Sequence, residues 1–423
     1  MTRPRAVIVV TGSELVRGDR SDLNGPFLAR EVLKLGLEPA RVEIVGDVPG
    51  ELLPALEQGL RADLCVTSGG LGPTHDDRTV ELVAAAAGRR LVVDEALRAE
   101  IEGVSRRIAE RLRRPYADFE AGVVKQAQLP EGAIAVGLAG TAPALVLEHD
   151  GAVVVVLPGP PGELQRLWPR TLEAEPVRRL LERARPPDRR VLRFFGASES
   201  TVARALADAG GEREGVEATI CARDFEIHVD LVAEPGAGER AAELERALAA
   251  PLEKFLFARD ERPVAAIVLE LCREQGLTLA TAESCTGGLI AARLTAVPGA
   301  SDVFRGAVVA YSDELKRTEL GVAEDLLAEH GAVSAEAAEA MAEGARRALG
   351  ADVTVAVTGI AGPGGATPGK PVGLVFVHAA RPEGAAALEL DLPGDRADVR
   401  SRATAIALHL LRRLLTQNRR QRV

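Results

Sequence analysis

An α/β protein of parallel sheets covered by helices is the fold class this sequence predicts, and three observations predict it. Short β-branched runs alternate with helix-length amphipathic stretches along most of the chain. Hydrophobic residues make up 47% of the chain and aromatics only 3%. The cores must therefore be built from Ala, Val and Leu, which suits sheets buried on both faces. At 423 residues the chain also exceeds one ordinary core, and a prior of roughly one domain per 150 residues points to two or three units. We expect three, at residues 1–172, 188–257 and 258–423.

In the first unit the strands AVIVV, DLCVTSGG and AVVVVLPG alternate with the helices GPFLAREVLKLG and DRTVELVAAAAG. That rhythm reads as a doubly wound, three-layer α/β/α sheet with ligand loops at the strand ends. The segment RRLLERARPPD closes with Pro186 and Pro187, a reasonable boundary. A compact α+β module follows: strand VLRFF, helix SESTVARALADAG, strands EATICA and FEIHVDLVAE, then a helix over residues 238–257. In FEIHVDLV the alternation puts Phe225, Ile227, Val229 and Leu231 on one face and leaves His228 outward, as a solvated strand residue. The third unit opens with helix VAAIVLELCREQG and strand LTLATA and continues through strands GAVVAY, DVTVAVTG and GLVFVHAA, again a three-layer α/β pattern. The ending RRLLTQNRRQRV reads as a frayed, solvated basic tail.

Charge narrows the function classes. With 52 basic and 62 acidic residues the net charge is −10, which argues against broad binding of nucleic acid or an anionic membrane. Five apolar residues in MTRPRAVIVVTG are too few for a signal-peptide core, and no later stretch has the length of a membrane span, so a cytoplasmic protein is expected. Cys65, Cys221, Cys272 and Cys285 stand apart with no CxxC pair, so reduced thiols are the default.

The sharpest chemical cluster is Ala282-Glu283-Ser284-Cys285-Thr286-Gly287-Gly288, between a strand and the helix LIAARLTA. Free backbone amides and the positive helix end would favour a developing oxyanion there, and Gly287 and Gly288 let a ligand approach the backbone. Ser284 or Cys285 can attack a carbonyl, and either needs a base. His330 falls in a mid-helix stretch and His378 ends a strand, so Lys316, after Tyr311 and Ser312, is the better candidate; the ordinary alternative is an exposed helix charge. A second glycine-rich loop, from Thr358 and Gly359 through Gly362 to Gly365, can cradle a phosphate or a ribose, or simply turn tightly. Asp395 reads as an N-cap, with Arg396 and Arg400 sharing one helix face, suited to an anion or to salt bridges.

The stretches AESCTGGLIAARLTAVPGASDVFRGAVVAYSDELK, AVSAEAAEAMAEGAR, AVTGIAGPGG with KPVG, and GDRADVR together resemble the CinA C-terminal domain over nearly all of residues 258–423. The resemblance implies deamidation of nicotinamide mononucleotide (NMN) to nicotinic acid mononucleotide and ammonia, without a cofactor. It makes Ser284 the nucleophile and Lys316 the general base. Tyr311, Thr286, Gly287, Gly288, Thr358, Gly359 and Gly362 would line the site, and Arg396 or Arg400 would hold the substrate phosphate.

In the first unit, Ser68-Gly69-Gly70-Leu71-Gly72-Pro73-Thr74-His75-Asp76-Asp77 joins a buried strand to a helix. Glycine amides there suit a pyrophosphate, and Asp76 and Asp77 either bind a bridging divalent metal or merely cap the helix. With Gly12-Ser13-Glu14-Leu15, Asp22-Leu23-Asn24 and Leu157-Pro158-Gly159-Pro160-Pro161, the pattern is similar to the CinA N-terminal domain and its molybdopterin-binding-like fold. That similarity implies ADP-ribose pyrophosphatase activity with Mg, Mn or Co, nucleotide contacts from Glu14, Asn24, Ser68, Gly69, Gly70, Gly72, Thr74, Pro158 and Gly159, and metal ligation by Asp76 and Asp77. Ser13 and Leu23 stand where that family usually carries threonine. The middle module resembles the family's KH-like module through Gly196-Ala197-Ser198-Glu199-Ser200; lacking a GxxG loop with basic flanks, it is expected to link or oligomerise rather than bind RNA. Expected partners are small nucleotides and a second copy in a homodimer. Two other readings are a pterin-nucleotide binder at the N-terminus and an interaction protein in DNA uptake or repair. Acidity and scarce aromatics count against DNA contact.

Overall fold

A computed structural model describes residues 3–212 and 214–417 and divides into two compact units, 1–188 and 189–423. In the first unit the strand order is Glu38–Val45, Arg5–Thr11, Leu64–Ser68, Ala152–Leu157, Pro143–His149, Ile134–Leu138. The first four strands run parallel, and the last two add an antiparallel edge. Both faces are buried because both are apolar. Val7, Val9, Cys65, Val154 and Val156 meet Leu52 and Leu56 of helix Pro49–Gly59 and Leu82 of helix Thr79–Ala86 on one side. Ala6, Ile8, Val66, Val153 and Val155 meet Leu28 of helix Asn24–Lys34 and Trp168 of helix Pro161–Thr171 on the other. This is the expected three-layer unit. Helix Glu175–Glu182, beyond the anticipated end at 172, still places Val177 and Leu180 in that core.

The second unit holds two sheets. The smaller has the order Val216–Arg223, Glu226–Ala233, Asp188–Phe195, Leu256–Ala258, with helices Glu199–Asp208 and Gly238–Ala249 packed on its apolar face. Three details differ from expectation. The helix expected over residues 238–257 stops at Ala249, and a 3-10 turn carrying Pro251 leads to strand Leu256–Ala258. Phe225 is not on the inner face: with Asp224 it forms the two-residue turn of a hairpin, both at positive φ (52° and 70°), and it is exposed. His228 is half-buried beside Glu226 rather than solvated.

The larger sheet has the order Phe304–Val309, Leu279–Glu283, Val353–Gly359, Leu374–Arg381, Gly384–Asp391. The first three are parallel, and the last two form an antiparallel hairpin. Val353, Val355 and Val357 pack against Val268 and Leu269 of helix Val264–Gln275 and Leu408 and Leu411 of helix Arg396–Gln417. On the opposite face Ala282 and Ala356 meet Met341, Ala342 and Ala345 of helix Ala335–Leu349. His330 closes its helix instead of lying in the middle, and His378 lies within its strand instead of ending it. The ending read as a frayed tail is helical through Gln417, with Leu414 and Leu415 buried in the core; residues 418–423 lie outside the described part. No helix among the described residues is long and apolar enough to cross a membrane.

Candidate active site

Strand Leu279–Glu283 is an interior strand of its sheet, so the residues following it emerge between two neighbouring strands. Ser284 N donates to Val357 O at 2.9 Å, and Ala310 N donates to Glu283 O at 2.9 Å, fixing the serine backbone from both sides. Glu283 is the residue sequence reasoning missed. Its carboxylate is fully buried and accepts from Gly288 N (2.9 Å), Ile290 N (3.1 Å), Ala291 N (2.9 Å) and Thr281 Oγ1 (3.2 Å). The amides opening helix Leu289–Thr295 are therefore not free for an oxyanion, as the motif suggested; an internal carboxylate takes them. A signal was present, since a carboxylate five residues before a helix N-cap glycine can fold back onto that helix.

The two adjacent nucleophiles separate cleanly. Cys285 lies in the hydrophobic core, and burial pushes its thiol up to about 12. Ser284 is 8% exposed and lies outside that apolar cluster. Lys316, in the helix Asp313–Thr318 that Ser312 caps, is 3% exposed, so the exposed-charge alternative fails. Its Nζ contacts the solvent-facing Asp313 Oδ1 at 3.3 Å, and no direct hydrogen bond joins it to Ser284. The expected nucleophile and base are thus on adjoining segments with no hydrogen bond between them. Tyr311, 56% exposed, accepts through its hydroxyl from Arg396.

The two arginines hold the loops themselves. Arg400 donates to Cys285 O (3.1 Å) and Thr286 O (3.0 Å), and Arg396 donates to Gly362 O (2.8 Å). Asp395 caps their helix as expected, accepting from Ala397 N (2.8 Å) and Asp398 N (3.0 Å). A cavity of about 530 Å³ lies between the 361–363 loop and this helix start, lined by Gly362, Pro363, Val372, Arg396 and Arg400 among others. Gly287 and Gly288, both at positive φ, form the turn into the capped helix, and Gly359 ends its strand against Val375. Thr286 is fully buried, so its side chain offers a substrate nothing in this state. Thr358, read as a substrate contact, is also fully buried and donates its hydroxyl to Ala332 O at 2.7 Å; it braces a loop instead. Lys370, which opens the KPVG segment, braces the same loop through His330 O and Val333 O.

In the first unit the corresponding loop follows strand Leu64–Ser68. Asn24 Nδ2 donates to Ser68 Oγ (3.0 Å) and Gly159 O (2.7 Å), and Ser68 Oγ donates to Pro158 O (3.0 Å), so three of the singled-out segments converge. Gly69 must be glycine: at φ +109 a Cβ would come within 2.3 Å of Thr11 O. Ser13 is anchored to Asp47 through its amide (2.8 Å) and hydroxyl (2.9 Å). Glu14 and Leu23 are exposed. Gly70, Gly72, Asp77 and Lys125 line a small crevice of about 60 Å³. Asp76 and Asp77 both accept from the Thr74 hydroxyl, a bond that holds the Asp76 carboxyl below its usual range. Among the described residues no three His, Cys, Asp or Glu side chains gather to hold a metal. A divalent ion at this loop would take Asp76 and Asp77 from the protein and the rest from phosphate oxygens and water, a donor set that Mg²⁺-type ions accept.

Fold and sites together define a two-unit α/β protein with a glycine-lined loop after an interior strand of each unit. Residues 261–415 match the family described as CinA C-terminal domain, and residues 7–177 the one described as probable molybdopterin binding domain. A CinA-like protein of Mycobacterium tuberculosis is 43% identical over 426 residues, covering 97% of each chain. One of Mycobacterium sp. strain JLS is 44% identical over 422 residues, 97% of this chain and 99% of the relative. A solved competence damage-inducible protein A from Klebsiella pneumoniae is 36% identical with a TM-score of 0.36, covering 36% of this chain and 96% of that one. The chain belongs to the CinA family.

Proposed function

We propose that residues 258–423 hydrolyse the carboxamide of NMN to nicotinic acid mononucleotide and ammonia, with Ser284 as nucleophile. The observation that carries this reading is the division of labour between neighbours: the Cys285 thiol is buried and held protonated, which leaves the Ser284 hydroxyl as the reacting group. Lys316, once it has left Asp313 and given a proton to solvent, takes the serine proton on attack, directly or through one water, as catalytic contacts often tighten only with substrate bound. The helix amides are held by Glu283, and the amides of Cys285 and Thr286 face the Cys285 sulfur, so this loop offers the oxyanion no amide that is already free. Arg396, at the cavity beside the glycine loop, meets the phosphate. Ammonia leaves with a proton returned by Lys316, and water then hydrolyses the acyl-serine. Ammonia release from NMN tests this: wild type and Cys285→Ala turn over, and Ser284→Ala falls by about 10³-fold or more. An inactive wild type overturns it.

For the first unit we propose metal-dependent cleavage of ADP-ribose at the loop 68–77, with AMP as the product to look for under Mg²⁺, Mn²⁺ or Co²⁺. A second reading, a pterin-nucleotide binder without turnover, is favoured by the match of residues 7–177 to a molybdopterin-binding family. Binding without AMP formation would select it. We further propose that the protein acts in the cytoplasm as a homodimer.

A further inference from the structure

The middle module meets the catalytic part of its unit at two points that the proposed chemistry does not use. At the first, Glu226, 8% exposed, accepts from His409 Nε2 at 2.9 Å and lies 3.1 Å from His228 Nε2. His409 is fully buried on the long last helix, stacked on Phe195 at 3.7 Å between ring centroids, with Phe257 edge-on at 4.7 Å. At the second, the hairpin tip reaches two site helices. Asp224 Oδ1 lies 3.4 Å from Arg293, whose guanidinium also reaches Ser401 Oγ at 3.3 Å, and Arg402 stacks over the Phe225 ring at 4.2 Å.

Those two helices carry the site. Arg293 lies on the helix whose amides Glu283 caps, immediately after Ser284, while Ser401, Arg402 and His409 lie on the helix whose first turns present Arg396 and Arg400. The tip is also strained. Both of its residues sit at positive φ, and a phenylalanine there is costly where glycine would be comfortable. Strain at a bulky turn residue persists only where its surroundings hold it, and here the Arg402 contact does so.

We propose that the Asp224-Phe225 tip and the buried Glu226-His409 contact are positioning residues for the amidase site: they hold the last helix in the register that aims Arg396 at the substrate's anionic group. The middle module is thereby part of the substrate-recognition machinery rather than a linker. This rests on the deamidase reading for its substrate, and its test is chosen so that the two can fail separately.

The tip is best probed by Asp224→Asn with Phe225→Gly in the full chain. Asn-Gly is the favoured sequence for a two-residue turn at positive φ, so the hairpin is kept while the ring contact to Arg402 is lost and the ion pair to Arg293 is neutralised. Glu226→Ala probes the buried contact and Glu226→Gln is its conservative partner. The readout is the ratio of kcat/KM for NMN over nicotinamide riboside, which lacks the phosphate. A positioning role lowers this ratio by about fivefold to tenfold in the tip variant, through KM for NMN, with kcat nearly unchanged. Glu226→Ala does the same or more, and Glu226→Gln recovers most of it. An unchanged ratio in the tip variant, or an equal loss on both substrates, overturns the proposal. Hydrogen exchange at residues 284–291 and 396–404 provides a readout independent of turnover. Faster exchange there in the tip variant is expected, and exchange confined to residues 216–233 contradicts the proposal even if the wild type proves inactive on NMN.

Discussion

The loops at 282–291 and 68–79 look alike as sequence, each running from a buried strand through glycines into a helix, yet they are organised in opposite ways. In the first, a fully buried carboxylate, Glu283, occupies the helix amides, and Arg400 holds two loop carbonyls. In the second, Asp76 is exposed and Asp77 only half-buried, and both carboxylates fold onto Thr74, where water can compete. The first loop is thus assembled without a ligand, as a nucleophile needs for attack. The second keeps its charges near the surface, as a site completed by a metal and phosphates requires. The same motif can therefore mark a rigid reaction centre or an open cradle, and the position of the carboxylate decides which.

The largest expected effect is at the first loop. Lys316→Met, close in volume and unable to take a proton, lowers ammonia release from NMN by about 10²- to 10⁴-fold while KM changes little; a loss below tenfold would assign the proton transfer elsewhere. Next, Glu283→Gln makes this loop more like the other by removing the charge from three amide bonds. It should cost about 2 kcal/mol in denaturant unfolding of this unit, with activity falling too. Asp77→Asn in the open loop should change stability by about 0.5 kcal/mol or less. Equal costs at the two positions would erase the distinction. The smallest effect belongs to Leu23→Thr. Leu23 is 62% exposed, so stability stays within about 0.5 kcal/mol, and only turnover of ADP-ribose, read as AMP, is expected to rise.

Much of the fold is legible in the sequence. The parallel strands were readable because burial on both faces demands unbroken Val and Ile runs, as in AVIVV and AVVVVLPG. The edge strand Gly384–Asp391 was not, because an exposed edge rich in alanine carries no such run. Phe225 reads as strand because Phe has strong β propensity and nothing local reveals a positive φ. Ser284, Lys316, Arg396 and Arg400 stood out by their loops, but what each touches did not. Arg400 grips backbone carbonyls 114 and 115 residues away, and Glu283, read within the loop cluster, instead closes its strand and accepts from the amides of the following helix. Partners set by tertiary folding leave no periodic trace.

The central claim is that an ester forms on Ser284. Acid quench of the wild type within the first turnovers of NMN, followed by peptide mapping by mass spectrometry, tests it most directly. We expect a nicotinate-ribotide ester on the peptide holding residues 282–293, located at Ser284 by fragmentation and absent in Ser284→Ala. An adduct on Cys285, or ammonia released at full rate by Ser284→Ala with no adduct anywhere, would contradict it.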